Sequence, residues 1–262
     1  MGKPKSNYTI QTVSNALRLL EAFCEEAELG VSELSRRLGL HKNNVFRLLA
    51  TLELGGYVEQ SSDTDCYRLG VRCVELGRSY ARSHSLVERA RPVLEDLVAE
   101  LGETAHLGVL RDFEVVHLDG IQPQRMLVTA SRVGQRLPVH CSALGKVLIA
   151  CSQPGVQESY DRDVVCGAPL EALTAATLVD RVKLFDQLRS VAGQGYALDL
   201  GECEDGLHCA AAPVYGENNQ LLAALSVSGP GFRVSEDELH ASVLSVLSAA
   251  ASRLSSALGS QG

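Results

Sequence analysis

The stretch from Val31 to Tyr57, VSELSRRLGLHKNNVFRLLATLELGGY, constrains the fold most, because it reads as two short helices about a tight turn followed by a strand. Ser32 is placed to cap the first helix, Leu34 and Leu38 supply its buried side, and Gly39 gives the turn its backbone freedom. The chain restarts at His41, after which Val45, Leu48, Leu49 and Leu52 fall at the i, i+3, i+4, i+7 spacing of one buried stripe. The opposite face then carries Lys42, Asn43, Asn44, Phe46 and Arg47. Asn pairs with an adenine edge, Arg with guanine or phosphate, and Phe packs on a thymine methyl, so this face suits the major groove of double-stranded DNA.

Charge placement agrees. Residues 35 to 52 carry Arg36, Arg37, Lys42 and Arg47 without an acid, although the whole chain has a net charge of −8. Residues 1 to 72 hold nine Lys or Arg and nine Asp or Glu, so all of that net charge lies in the remainder. After Gly55-Gly56, the segments YVEQ and CYRLG flank a polar tip, SSDTD, and read as two short strands around a wing. Arg68 is placed for a backbone phosphate, while the acidic tip disfavours deep insertion. A competing reading keeps the winged helix but makes it a protein-interaction adaptor, its charges forming a solvated face.

A chain of 262 residues with this charge asymmetry is expected to form two domains. No apolar run approaches the roughly 18 residues of a membrane span, and the polar start MGKPKSNYTIQ has no secretory core, so a cytoplasmic protein is expected. Eight cysteines, at 24, 66, 73, 141, 151, 166, 203 and 209, show no CxxC pair and no disulfide-scaffold spacing. They are expected to be reduced core residues. Cys203, His208 and Cys209 lack the paired spacing of a zinc site, and neither a metal nor another cofactor is expected.

Beyond the wing, residues 71–85 read as a linker helix and Leu86 to Leu101 as an amphipathic helix with Pro92 near its start. Strand-like runs follow in HLGVL, EVVHLDGI and MLVTASRV. Ser142 is placed to cap a helix through Cys151, and a further helix is expected from Thr177 to Val191, ending at Gly193 or Gly195. CAAAPVY and LLAALSVSG read as strands around GENNQ. Ser235 and Glu238 stand in capping-box spacing ahead of a last helix. Helices and strands mix without βαβ alternation, so the fold class is α+β, with an antiparallel-rich sheet flanked by helices.

Polar chemistry concentrates in three places. Leu137 to Lys146 is a loop feeding a capped helix whose free amides suit a carboxylate. Gly195 to Cys209 is a loop rich in Gly, Asp and Glu ahead of a strand. Ser226 and Ser228 alternate onto one strand face, where two hydroxyls can serve one small polar ligand. An enzymatic alternative draws Asp199, His208 and Cys209 as a thiol nucleophile with its base. His208 and Cys209 are adjacent on a strand and point to opposite faces, which argues against that relay, so no catalytic residue is assigned.

Across Ile10 to Leu258 the chain resembles the IclR (isocitrate lyase regulator) family of bacterial transcription factors. The resemblance rests on NALRLLEAF, LSRRLGL, VFRLLATLE, YRLG, HCSALGK, GYALDLGECEDGLHCAAAPV and AALSVSGP. It implies a winged helix-turn-helix over residues 8–70, a linker helix over 71–85 and a GAF-like effector-binding and oligomerisation domain over 86–260. It implies operator DNA and a small carboxylic-acid effector as partners, and assembly as homodimers or dimers of dimers. By motif position the effector pocket is lined by Leu137, Ala143, Leu144, Asp199, Cys209, Ser226 and Ser228. Some members carry a smaller residue in place of Leu144, and many carry Ser or Thr in place of Asn43 and Asn44. The same resemblance brings in the enzymatic alternative, since cysteine-dependent reductases of small oxidised thioethers use GAF-like domains.

Overall fold

The computed structural model describes residues 9–24, 26–83, 85–125, 129–153 and 155–260. The chain divides between residues 83 and 84 into two compact units.

In the first unit, α1 (Gln11–Ala22), α2 (Val31–Leu38) and α3 (Lys42–Leu54) precede an antiparallel hairpin of β1 (Val58–Gln60) and β2 (Tyr67–Leu69), then α4 (Val71–Ser83). Leu19, Phe23, Leu34, Val45, Leu49, Val58 and Tyr67 fill its core, with Leu52 packed half-buried at the edge. The turn between α2 and α3 closes through Gly39, whose φ of 66° lets its amide reach the Ser35 carbonyl. Ser35 also donates its hydroxyl to the Leu40 carbonyl at 2.6 Å. The expected Ser32 cap is not made. Gly30 holds the capping position without a side-chain bond, because α2 begins at Val31 and takes Ser32 inside its first turn.

The second unit runs α5 (Ser85–Leu101), β3 (Thr104–Arg111), β4 (Glu114–Ile121), β5 (Arg136–Pro138), α6 (Ala143–Ala150), α7 (Val156–Tyr160) and α8 (Arg181–Gln194). It continues with β6 (Ala197–Leu200), β7 (Leu207–Tyr215), β8 (Leu221–Pro230), the short α9 (Glu236–Glu238), a π-turn over Leu239–Val243 and α10 (Leu244–Ala257). The strands form one antiparallel sheet in the order β5-β4-β3-β8-β7-β6. Strand alternation sends Leu107, Ala210, Ala212, Leu225 and Val227 into a core shared with α5 and α10. Val115, Ala197, Cys209, Ala211 and Ala224 face the other way, into a core shared with α6 and α8. Both faces of the sheet are thus covered, and α6 is buried along its whole length.

Several sequence expectations shift. Pro92 lies in the middle of the 17-residue α5, because that helix starts at Ser85; the bond its missing amide would give the Glu88 carbonyl is absent. Within MLVTASRV, residues 126–128 lie outside the described residues, and Thr129–Arg132 form no strand. The chain joins β4 only after Gly134, at φ 82°, so β5 takes the edge instead. The helix expected from Thr177 starts at Arg181, capped by Asp180 through the Lys183 amide at 2.9 Å. Thr177 instead donates to the Glu202 carbonyl at 2.6 Å. Residues Ala197–Leu200, read as loop, form edge strand β6 against β7. The caps at Ser142 and Ser235 form as expected, through Gly145 and Glu238 amides, each at 3.2 Å.

Gly145 shows how tightly α6 is seated. A Cβ there would stand 2.5 Å from both the Cα and the carbonyl oxygen of Val139. On an open helix Gly→Ala stabilises by about 1 kcal/mol; here Gly145→Ala is expected to destabilise by roughly 1–3 kcal/mol through overpacking. Urea unfolding followed by circular dichroism reads the sign directly, and an unchanged or raised midpoint contradicts this packing.

Candidate functional site

The first site is the outer face of α3. Lys42, Asn43, Asn44, Phe46 and Arg47 are all exposed, and Phe46 alone leaves 57% of its surface open. Val45, Leu48 and Leu49 on the opposite side anchor the helix. The basic residues are not electrostatically equal. Arg36 and Arg37 both bond Glu33, at 2.6 and 2.7 Å, and Arg37 also pairs with Glu26. The two guanidiniums pull the Glu33 carboxyl down to about 2. Arg68 bonds Glu59 at 2.7 Å and stands 3.8 Å from Glu28. Among the described residues no acid pairs with Lys42 or Arg47. A count along residues 35 to 52 therefore overstates the basic patch, because Glu26 and Glu33, just outside that window, fold back onto it.

The second site is a cavity of about 360 Å³, counting its open mouth, on the α6 side of the sheet. All seven residues singled out in the sequence line it: Leu137, Ala143, Leu144, Asp199, Cys209, Ser226 and Ser228. Strand register brings them together. Asp199 pairs with Cys209, Cys209 with Ser228 and Ser228 with Thr104, forming one row across β6, β7, β8 and β3. Ser226 pairs with His106 one step along. Leu137 lies at the middle of β5, and Ala143 and Leu144 open α6. The amides of Gly145 and Lys146 are taken by the Ser142 hydroxyl and carbonyl. No hydrogen bond among the described residues uses the amides of Ala143 or Leu144, which remain as donors at a positive helix end.

Ser142, Cys203 and Leu207, from the two loops flagged in the sequence, also line the cavity, as do His106, His117 and Arg132, which sequence reasoning missed. The histidines sit inside strands that were recognised, but only register reveals that their face is the ligand face. Arg132 lies in the stretch expected as strand. Its backbone amide donates to His106 Nε2 at 3.4 Å, and its guanidinium bonds Glu204 at 2.5 Å.

The buried polar groups carry shifted acidities. Burial holds His106 down to about 3 and His117 to about 4, so both rings are neutral near pH 7. Burial raises Asp199 to about 6, although its Oδ1 accepts the Glu202 and Cys203 amides at 2.7 and 3.4 Å. Burial likewise pushes the Cys209 thiol far up, against a Ser228 hydrogen bond and the Arg132 charge, which pull it down. A nucleophilic thiol needs the reverse shift. His208 turns away and bonds the Val234 carbonyl through Nδ1 at 2.8 Å, so the drawn relay has no base.

The sequence matches the IclR helix-turn-helix domain over residues 12–62 and the bacterial transcriptional regulator IclR C-terminal domain over residues 78–256. It is 39% identical to the HTH-type transcriptional regulator XynR of Escherichia coli over 95% of this chain and 98% of that one. The chain belongs to the IclR family of bacterial transcriptional regulators. IclR-type crystal structures share the fold: a regulator from Alicyclobacillus acidocaldarius superposes with a TM-score of 0.86 at 27% identity, over 96% of this chain and all of that one. An IclR homologue from Microbacterium hydrocarbonoxydans, crystallised with 4-hydroxybenzoate, gives 0.80 at 27% identity over 94% and 98% of the two chains. No helix among the described residues is long and apolar enough to cross a membrane. These relatives are regulators rather than enzymes, which agrees with the thiol and histidine geometry of this IclR-family cavity.

The acidities give a pH dependence. A histidine with a lowered folded pKa contributes stability that is present above its unfolded value of 6.5 and is lost as pH falls toward about 4 and then 3. Asp199, raised, works the other way between 3.8 and about 6. Two histidines against one carboxyl give a net loss on acidification. The melting temperature is expected to fall from pH 7 to pH 4.5, and to fall less in a His106→Asn/His117→Asn variant; equal falls would remove the histidines from this account.

Proposed function

We propose that this protein regulates transcription by binding operator DNA through α3, with an affinity set by a small carboxylic acid held in the cavity beneath α6. The observation that carries the reading is the donor set facing that cavity. The Ser226 and Ser228 hydroxyls and the free amides of Ala143 and Leu144 converge on one buried space, as a carboxylate requires. The acid found in the Microbacterium relative supports the ligand class. Cys209 packs beside the acid, Leu137 and Leu144 line its apolar part, and Asp199 accepts a ligand hydroxyl.

On the DNA side, Asn43, Asn44 and Phe46 meet base edges while Lys42 and Arg47 meet phosphate or guanine. Arg36, Arg37 and Arg68 contribute less, since each first has to leave a carboxylate. The protein acts as a homodimer, or dimer of dimers, with half-sites spaced by its two-fold axis. Support comes from apolar side chains left open on α4, Val71 and Val74, and from Ile10, Val13 and Leu17 along α1. The acid alters operator affinity by its differential affinity for the DNA-competent and incompetent states.

Fluorescence anisotropy with DNA from the gene's own upstream region tests both halves. Binding is expected to weaken as salt rises, and Arg47→Ala to lower affinity and reduce the salt slope by about one. Absence of binding at every salt concentration, with a distant operator excluded, favours the adaptor reading. A Ser226→Ala/Ser228→Ala variant is expected to bind DNA normally and to lose its response to the acid. An unchanged response takes those hydroxyls out of the site.

A further inference from the structure

In a docked helix-turn-helix the second helix reads bases while the first crosses the phosphate backbone. Here that first helix is α2, whose last turn carries Arg36 and Arg37. Both guanidiniums are already engaged, because Glu33, one turn earlier, accepts from each. Arg36 grips it with Nε at 3.1 Å and Nη2 at 2.6 Å, the two-pronged pairing in which guanidinium and carboxylate match best. Arg37 adds its Nε at 2.7 Å and reaches Glu26 as well. Among the described residues Arg36 bonds no carboxylate other than Glu33. Its side chain is 73% exposed, against 34% for Glu33, so the carboxylate restrains the guanidinium and packing does not.

We propose that Glu33 is a brake on sequence-independent DNA binding: by holding Arg36 it keeps one phosphate contact out of the complex, so that operator affinity leans on the base contacts of α3. This rests on the operator reading above and deepens it. An exposed ion pair of this kind adds little to stability, so its consequence falls on the DNA instead. A guanidinium that leaves Glu33 for a phosphate only exchanges one anion for another, and it leaves a bare carboxylate beside the backbone. The bonds from both arginines hold that carboxyl down at about 2, so it stays charged near neutral pH. Lys42 and Arg47 on α3, which pair with no acid among the described residues, face no such exchange. A phosphate contact strengthens binding to every sequence alike, whereas base contacts strengthen binding to one. Glu33 acts through Arg36 and is therefore a positioning residue.

Salt titrations of the full chain, with an unrelated duplex and with the upstream DNA, test it. Glu33→Gln is expected to tighten binding to the unrelated duplex by about three- to eightfold at about 0.15 M salt and to steepen the salt slope by about one, the effect of one added phosphate contact. Combining it with Arg36→Ala is expected to cancel both changes. A carboxylate that served only the first turn of α2 would lower the melting temperature and leave the slope where it was. An unchanged slope in Glu33→Gln, or a steeper slope that survives Arg36→Ala, overturns the assignment while leaving operator binding intact. Should Glu33→Gln fail to fold, Arg36→Ala alone decides: it is expected to flatten the slope by clearly less than Arg47→Ala does, and an equal loss overturns the brake. Absence of binding to either duplex by the unaltered protein at every salt concentration overturns both readings.

Discussion

The second unit depends on one buried ion pair. Lys146, on the sheet side of α6, has no exposed side-chain surface, and its ammonium bonds Glu202 together with the Leu198 carbonyl, the latter at 3.2 Å. Desolvating such a charge is tolerable only when its partners are fixed, and removing one partner of a buried pair typically costs about 3–5 kcal/mol. The fixing is visible around Glu202. Its amide donates to Asp199, and its carbonyl accepts from Thr174 and Thr177. One pair therefore locks α6, which carries the free amides, to the turn after β6, whose Glu202 amide holds the buried Asp199 of β6.

The cavity follows from that lock. With α6 held by Lys146 and by the close approach of Gly145 to Val139, its first turn cannot slide to bury its own amides against the sheet. Beneath it, β6, β7, β8 and β3 present Asp199, Cys209, Ser226, Ser228 and His106 from one face. Polar groups buried in this way are expensive unless satisfied. His117 Nδ1 and Glu202 Oε2 remain without partners among the described residues.

Much of this was legible in the sequence where local rules govern. The 3.6-residue stripe of Val45, Leu48 and Leu49 gave α3 and its exposed face, Gly39 gave the turn, and Ser142 and Ser235 gave their caps. The family resemblance singled out seven of the residues that line the cavity. What escaped is non-local. His106 and His117 join the site through strand register, and Arg132 through an irregular stretch laid against His106. The pairing of Arg36, Arg37 and Arg68 with glutamates from neighbouring segments was equally invisible to a charge count along the chain. Pro92 in mid-helix and the start of α8 at Arg181 rather than Thr177 show the same limit: where an element begins is decided by what its ends pack against.

On the proposed function, the cavity and the α3 face share one free energy. A coupling of about 1–3 kcal/mol corresponds to roughly 5–150-fold in affinity, and linkage makes it reciprocal. The coupling is read from the affinity of one small carboxylic acid for the protein alone and for the protein bound to its operator, set beside the operator affinity without that acid and with it at saturation. The two ratios are expected to agree and to differ from one by at least fivefold. An acid that binds the free and the DNA-bound protein equally well would contradict it, however tightly it binds.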